Sequence, residues 1–503
     1  MEATKVARGA AYIGVMNLTD ALIAFGFYLG IARILPPSDV GFVSMIFLVI
    51  TVFNTFTLLA LNSTVTKYVA EFTGADSPAS ASAAARKTLR MLLLISIPAF
   101  MVAAVLSPWI SSIAFGGGLS TTALLVILLG ALIMNFTNYC SAVMYGLGLF
   151  GDVAAQNVVY YVLSRVPGLI LAFLGLGVVG VASGLLMGSL AALLYSVNRL
   201  RGKLAGSQAD FPSKRLLSFS LPIYASNVLA LGQGWLDVIL LYVITGSSTS
   251  VGIYYLVIGA ISVVSMVSTP VTLTVFPAMS HRYGENGVEG IRNLLSSAFR
   301  VLAIVVVPLS VGLSVVAPTA LRVAYGSVYS QSALSFTILA LFAIFRAYCM
   351  LFSNVLKVLE KTLQVLLAEV LGLFADALVI VATAKMLGTV GAALGRSSMT
   401  LVMLLVLVMI LRKIPGLNLH VDHTLLFKVL FLSIIVGVPM FVVDSYLRLG
   451  SVSPPLIGVL ESGLFLLLGS VGLKITKPFN SDDLVLMDTV LPQRLKSVAH
   501  LFT

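Results

Sequence analysis

The 503-residue chain is 59% hydrophobic and only 10% charged, with a mean hydropathy of +1.07. A soluble domain carries about 25% charged residues because its surface must face water, so a soluble enzyme is excluded, and the hydrophobicity excludes a disordered chain. The net charge of +11 reads as Lys and Arg held in cytoplasmic loops, where they resist translocation; nucleic acid is not an expected partner.

A membrane-crossing helix needs about 20 mostly apolar residues. Lys5 and Arg8 precede the first apolar run, which looks at first like a signal peptide. That run continues through Ala32 without a small-residue cleavage site, and is read as a first span, 10–32. Further spans follow at 40–62, 91–113, 122–146, 154–175, 178–198 and 216–244. The second half adds 251–275, 295–317, 332–356, 363–384, 388–411, 425–447 and 455–475. About fourteen membrane helices result, and none shows the two-residue alternation of a membrane barrel strand.

Most of the 30 Lys and Arg residues fall on one side when the N-terminus is placed in the cytoplasm. Arg86, Lys87 and Arg90, then Arg199, Arg201 and Lys203, then Arg412 and Lys413 carry that bias, which puts both termini inside. The longest connections, near 73–90, 199–215, 280–294 and 412–424, are too short to fold alone. Function is therefore expected between the helices or at their ends. Cys140 and Cys349 sit in apolar runs and read as core thiols. There is no phosphate-binding P-loop for ATP and no HExxH zinc motif. The four histidines lie in predicted cytoplasmic segments; His420 and His423 flank Asp422, a pattern that fits an exposed polar loop better than a metal site. No metal and no cofactor are expected.

Two stretches resemble each other. From Ile34 the chain reads ILPPSDVGFVSMIFLVI, and from Val243 it reads VITGSSTSVGIYYLVIGAI. Gly41 falls on Gly252, and Gly74 falls within one residue of Gly284. Six spans separate the copies, so both keep the same orientation. The expected domains are a six-helix lobe at 1–200, a second at 201–415, two additional helices within 416–480, and a cytoplasmic tail at 481–503. Repeats of this kind place substrate sites at their interface and work by rocking one half against the other.

The segment Ile31-Ala-Arg-Ile-Leu-Pro-Pro-Ser-Asp-Val-Gly41, continued by Lys67-Tyr-Val-Ala-Glu-Phe-Thr-Gly74, resembles the polysaccharide transporters. These include the O-antigen flippases, in the multidrug/oligosaccharidyl-lipid/polysaccharide exporter superfamily. The likeness returns at Trp235-Leu-Asp237, Val251-Gly-Ile-Tyr254, Phe276-Pro-Ala-Met-Ser280, Pro308 through Gly312, and Tyr325-Gly326 with Tyr329. It implies an all-α, polytopic fold with two six-helix lobes around a central cavity and two C-terminal helices. It also implies export, across the cytoplasmic membrane, of an oligosaccharide linked to a polyprenyl phosphate or diphosphate, for cell-surface glycan synthesis. Expected partners are that glycolipid and the membrane lipids, with glycan polymerases, ligases or glycosyltransferases as further candidates.

Ionisable residues within spans are costly and usually face a cavity or a partner. Arg165, Arg346 and Arg396 suit phosphate, since a guanidinium stays charged and binds oxygens in bidentate fashion; Arg33 lies near the outer mouth. Asn17, Tyr160 and Tyr224 can hydrogen-bond or stack on sugars. The competing reading pairs these arginines with Asp20, Asp237, Glu369 or Asp376 to hold helices together. The same carboxylates are candidates for coupling to a H+ or Na+ gradient, and the resemblance makes an acidic residue at Asp237 typical. Alternative cargoes are organic cations, in a cation-coupled multidrug antiporter, and peptidoglycan precursors. A membrane-integral glycosyltransferase, polymerase or ligase would need a longer outer loop, so an enzyme is not expected; a non-transporting scaffold is a fourth possibility.

Overall fold

A computed structural model describes residues 2–117, 120–203, 211–417, 423–449 and 454–479. Helices account for nearly all of them, and no strand occurs among the described residues. In chain order they are α1 (Glu2–Ile34), α2 (Pro37–Leu58), α3 (Leu61–Gly74), α4 (Pro78–Ala114), α5 (Thr121–Gly146), α6 (Phe150–Leu171), α7 (Gly177–Leu200) and α8 (Ser213–Thr245). Then come α9 (Ser248–Val315), α10 (Ala317–Ala324), α11 (Ala333–Val358), α12 (Thr362–Leu387), α13 (Thr389–Leu411), α14 (His423–Leu449) and α15 (Pro454–Thr476). Every expected span coincides with helix, the second being divided between α2 and α3. Among the described residues eleven continuous helical stretches are long and apolar enough to cross a membrane, two of which, 150–200 and 248–315, each hold two expected spans. The protein is a multi-pass membrane protein.

Three local features depart from the expected pattern. The second span is not continuous: it breaks at Leu59 and Ala60, both left-handed with φ of 44° and 57°. Two adjacent non-glycine residues in that region are costly. The expected loop at 280–294 is helical, and the chain turns within α9 at Gly287, where φ is 60°. Much of the expected loop at 73–90 is the first turns of α4, because Pro78 is suited to a helix start and an Ala- and Ser-rich run follows it.

The chain divides into two compact units. One comprises Met1–Trp235 with Gly246–Gly252, the other Leu236–Thr245 with Ile253–Thr503. In the first unit α6 packs on α7, α5 on α7, α1 on α6 and α3 on α5. Little hydrophobic force joins helices in lipid, so close packing and polar ties do that work. Gly184 illustrates the packing: a Cβ there would overlap the Ser164 carbonyl on α6. Asn135 of α5 supplies a polar tie, donating to Thr57 of α2 at 2.6 Å and Ser96 of α4 at 3.3 Å. Ser196 of α7 donates to Gln156 of α6 at 2.7 Å. Facing outward, α4 presents Leu94, Val105 and Ile113, all more than 70% exposed, as a lipid-contacting helix requires.

The start of α9 belongs to this first unit and meets the start of α2. A Cβ on Gly41 would overlap the Ser248 carbonyl oxygen, and one on Gly252 would overlap the Pro37 carbonyl oxygen. Each glycine thus abuts the residue four before the other. Reciprocal contact of this kind is what a local two-fold relation produces, and it joins the two positions that align in the sequence repeat. In the second unit α12 packs on α13, α11 on α13, α14 on α15 and α10 on α15. Its core runs along α9, α11 and α13 through Leu302, Leu351, Phe352, Val355 and Leu407, all nearly inaccessible.

Candidate functional site

The first unit carries an open cavity of about 500 Å³, within the size range of small-molecule sites. The break between α2 and α3 opens onto it: Leu58, Ala60 and Asn62 all line it, as does Asn54 one turn earlier on α2. Asn227 and Trp235 approach from α8, and Tyr160 from α6. Among the described residues no carboxylate, amine, guanidinium or imidazole contributes to the lining. The Oδ1 atoms of Asn54 and Asn62 are both buried and lack a hydrogen-bond partner.

Beside Tyr160 lies an ion pair placed midway along the first unit's membrane helices. Arg165 Nη1 donates to Asp20 Oδ1 at 3.0 Å and to the Asp20 carbonyl at 3.3 Å. The guanidinium also sits 5.0 Å from the centre of the Tyr161 ring, and Tyr161 meets Tyr160 edge-on at 5.3 Å. The pair is engaged through one nitrogen, and the Asp20 carboxylate remains 34% exposed.

The second unit's pair is closed. Asp237, on α8, is 1% exposed. Its carboxylate accepts Arg396 Nε at 2.5 Å and Nη2 at 2.8 Å, and also the Tyr254 hydroxyl at 2.6 Å. That is the bidentate, fork-on-fork geometry of an arginine–carboxylate pair. Asp376, on α12, is equally buried, and its Oδ1 has no hydrogen-bond partner. Gly395 makes room for it, since a Cβ there would come within 2.7 Å of that oxygen. Asp376 thus adds a second carboxyl beside the Asp237–Arg396 pair. Arg346, on α11, is exposed, with Arg396, Glu369 and Asp237 close enough to act on its charge. Among the described residues Arg346 forms no hydrogen bond or ion pair.

The sequence-selected residues thus sort into groups. Asp20, Arg165 and Tyr160 come together in the first unit, and Asp237, Arg396, Asp376 and Arg346 gather in the second. Tyr224 is half-buried on α8, edge-on to Phe56 at 6.3 Å and one turn from cavity-lining Asn227. Glu369 is half-buried on α12, and Arg33 is exposed in the last turn of α1. The side chain of Asn17 lies outside the described residues, as do His420, Asp422, the His423 side chain and the 481–503 tail. The selection by charge passed over Asn54, Asn62, Asn227 and Trp235. An uncharged amide inside an apolar helix is the signal that marks the asparagines.

The sequence profile of the family described as "polysaccharide biosynthesis protein" matches residues 31–334, well over half of the chain. The chain belongs to that family. None of the curated proteins matches it. Among solved structures it is similar to the lipid II flippase MurJ in an inward closed conformation, with a TM-score of 0.72 at 14% identity, over 92% of this chain and 98% of that one. It is also similar to an inward-facing MATE-family multidrug transporter of the MOP superfamily, with a TM-score of 0.61 at 18% identity, over 76% and 93%. A third is a MOP-superfamily transporter from Pyrococcus furiosus, reported to have a binding pocket of reversed polarity, with a TM-score of 0.53 at 17% identity, over 80% and 92%. The fold of the family member is therefore that of the MOP-superfamily transporters, as the resemblance implied.

Proposed function

We propose that the protein is a flippase that carries a polyprenyl-phosphate- or diphosphate-linked oligosaccharide outward across the cytoplasmic membrane by alternating access. The observation that carries this reading is Arg346: an exposed arginine midway along a membrane helix, with no ion pair among the described residues. A charge in that position is costly unless something anionic visits it, and a lipid phosphate presents oxygens matched to its donors. Arg165 retains free donors for the same purpose, whereas Arg396 is spent on Asp237. Organic cations are poorly suited to a site that presents an unpaired cation. Lipid-linked peptidoglycan precursors share the anionic headgroup chemistry, and the similarity to MurJ keeps them as the second reading; the polysaccharide family membership favours the first.

Asp376 supplies a means of coupling. A buried carboxyl with an unpartnered oxygen, next to an already neutral Asp237–Arg396 pair, is stabilised by a proton or by Na+. No cofactor takes part, and both termini face the cytoplasm.

Proteoliposomes loaded with fluorescent lipid-linked oligosaccharide, or in parallel with a lipid-linked peptidoglycan precursor, test the reading. Translocation of the first by the wild type, and a loss of tenfold or more in Arg346→Gln, are expected. Equal transport by Arg346→Gln, or transport of hydrophobic cations alone, overturns it. In the same vesicles Asp376→Asn is expected to transport at a rate that no longer follows an imposed H+ or Na+ gradient.

A further inference from the structure

We infer that the cavity of the first unit is a sugar-binding subsite, which takes an uncharged, hydroxyl-rich ring of the cargo while the phosphate is handled by arginine. This rests on the flippase reading above and names the part of the cargo that one site recognises.

Three independent features point to it. The lining is polar without being charged: Asn54, Asn62, Asn227 and Thr51 offer amides and a hydroxyl, while Tyr160 and Trp235 offer rings. A phosphate would seek a cation and an organic cation would seek a carboxylate, and neither occurs among the described lining residues. A sugar ring needs hydroxyl partners on its edges and a flat apolar surface for its C–H face, which is the mixture present.

The second feature is the pair of orphaned oxygens. Asn54 is 9% exposed, and its Oδ1, like that of Asn62, is buried without a donor. A buried acceptor left unmade is expensive. Both acceptors belong to residues that line the same cavity, and each is itself covered, so a ligand rich in O–H donors reaches them only when the amides turn towards it.

The third is the backbone. The left-handed residues Leu59 and Ala60 interrupt α2 and α3 where Leu58 and Ala60 face the cavity. A break leaves the last carbonyls of one helix and the first N–H groups of the next without intrahelical partners. In membrane transporters such interruptions are tolerated where they line a cavity, and they mark binding sites. No glycine or proline at 59–60 lowers the cost of this break, so the geometry is held by its surroundings.

The two tryptophans allow a direct test. Trp109 lies on the exposed face of α4, 69% accessible, so Trp109→Phe leaves Trp235 as the sole tryptophan emitter in the full chain. In lipid nanodiscs this protein is titrated with three probes. One is the lipid-linked glycan fraction extracted from native host membranes; the others are the free reducing glycan and the lipid phosphate into which mild acid hydrolysis divides it. The emission of Trp235 is expected to shift with the intact fraction and with the free glycan, and not with the lipid phosphate. Asn54→Ala and Asn62→Ala are each expected to weaken free-glycan binding about tenfold. Should Asn54→Ala fail to fold, Asn62→Ala and Thr51→Val carry the same expectation at less buried positions. A shift with the intact fraction but none with free glycan overturns the subsite and leaves the flippase reading standing. Silence towards all three probes overturns both. Undiminished glycan affinity in folded Asn62→Ala and Thr51→Val also overturns the subsite.

Discussion

Both units place an aspartate and an arginine within membrane-spanning helices, yet they use the pair in opposite ways. In the first unit Asp20 holds Arg165 through one nitrogen and stays partly accessible. In the second, Asp237 grips Arg396 through two nitrogens, takes the Tyr254 hydroxyl as well, and is sealed from solvent. The same two residue types make an open contact in one place and a closed structural tie in the other. What separates them is the number of donors satisfied, which no count of charged residues in a span reveals. The closed pair then changes its surroundings: because Arg396 is spent, the buried carboxyl of Asp376 and the guanidinium of Arg346 are left to act for themselves.

The largest effect that follows concerns stability. Asp237→Ala takes two charge-assisted hydrogen bonds from a largely covered guanidinium, which should cost about 3–5 kcal/mol, whereas Asp20→Ala should cost under about 1 kcal/mol. After the latter change Arg165 still donates to the carbonyl of residue 20 and still lies over the Tyr161 ring. Thermal unfolding in detergent should therefore show a much larger drop for Asp237→Ala, mostly restored in Asp237→Leu/Arg396→Met, because an apolar pair of similar volume avoids the desolvation. Equal losses for Asp20→Ala and Asp237→Ala would erase the distinction between the units.

An intermediate effect tests the repeat. Gly41→Ala and Gly252→Ala each push a methyl group into a carbonyl oxygen, so each should cost about 1–3 kcal/mol. The contact is reciprocal, so the two losses should match. Gly259→Ala, on the same helix as Gly252 but with nothing within 4 Å of its Cβ position, is the control and should be neutral or slightly stabilising. A loss at Gly41 without one at Gly252 would break the reciprocity.

How much of this was legible in the sequence follows from the physics of each feature. The spans were readable because about 20 apolar residues in a row have few alternatives. The Gly41–Gly252 alignment was readable too, and the structure turns it into a contact. The break at Leu59–Ala60 was not: hydropathy runs through it unchanged, and neither residue carries the usual signature of a turn. At 280–294 the reverse holds: the connection was legible and Gly287 makes its turn, but the helix on both sides was not, since a polar stretch reads as a loop while tertiary context keeps it helical. Among site residues the charges stood out and their partners did not, because pairing depends on which helices pack together. The cavity asparagines were visible in principle, as amides in apolar helices, but carry no charge to draw attention to them.

The smallest effect sharpens the comparison at the level of single hydrogen bonds. In the first unit Ser196 donates to the side chain of Gln156, which is 2% exposed; Ser196→Ala leaves that amide oxygen buried without its donor. In the second unit Asn354 donates to the backbone carbonyl of Thr272 at 3.0 Å. That carbonyl lies inside a helix and keeps its intrahelical partner when Asn354→Ala removes the side chain. Interhelical hydrogen bonds in membranes average about 0.6 kcal/mol, so neither variant should lose much. The order is nonetheless fixed: Ser196→Ala should cost more than Asn354→Ala, because only the first strands a buried acceptor. Unfolding titrations of the two variants under identical detergent conditions decide it, and a reversed order would mean that removal of the donor, rather than the state of the abandoned acceptor, sets the cost.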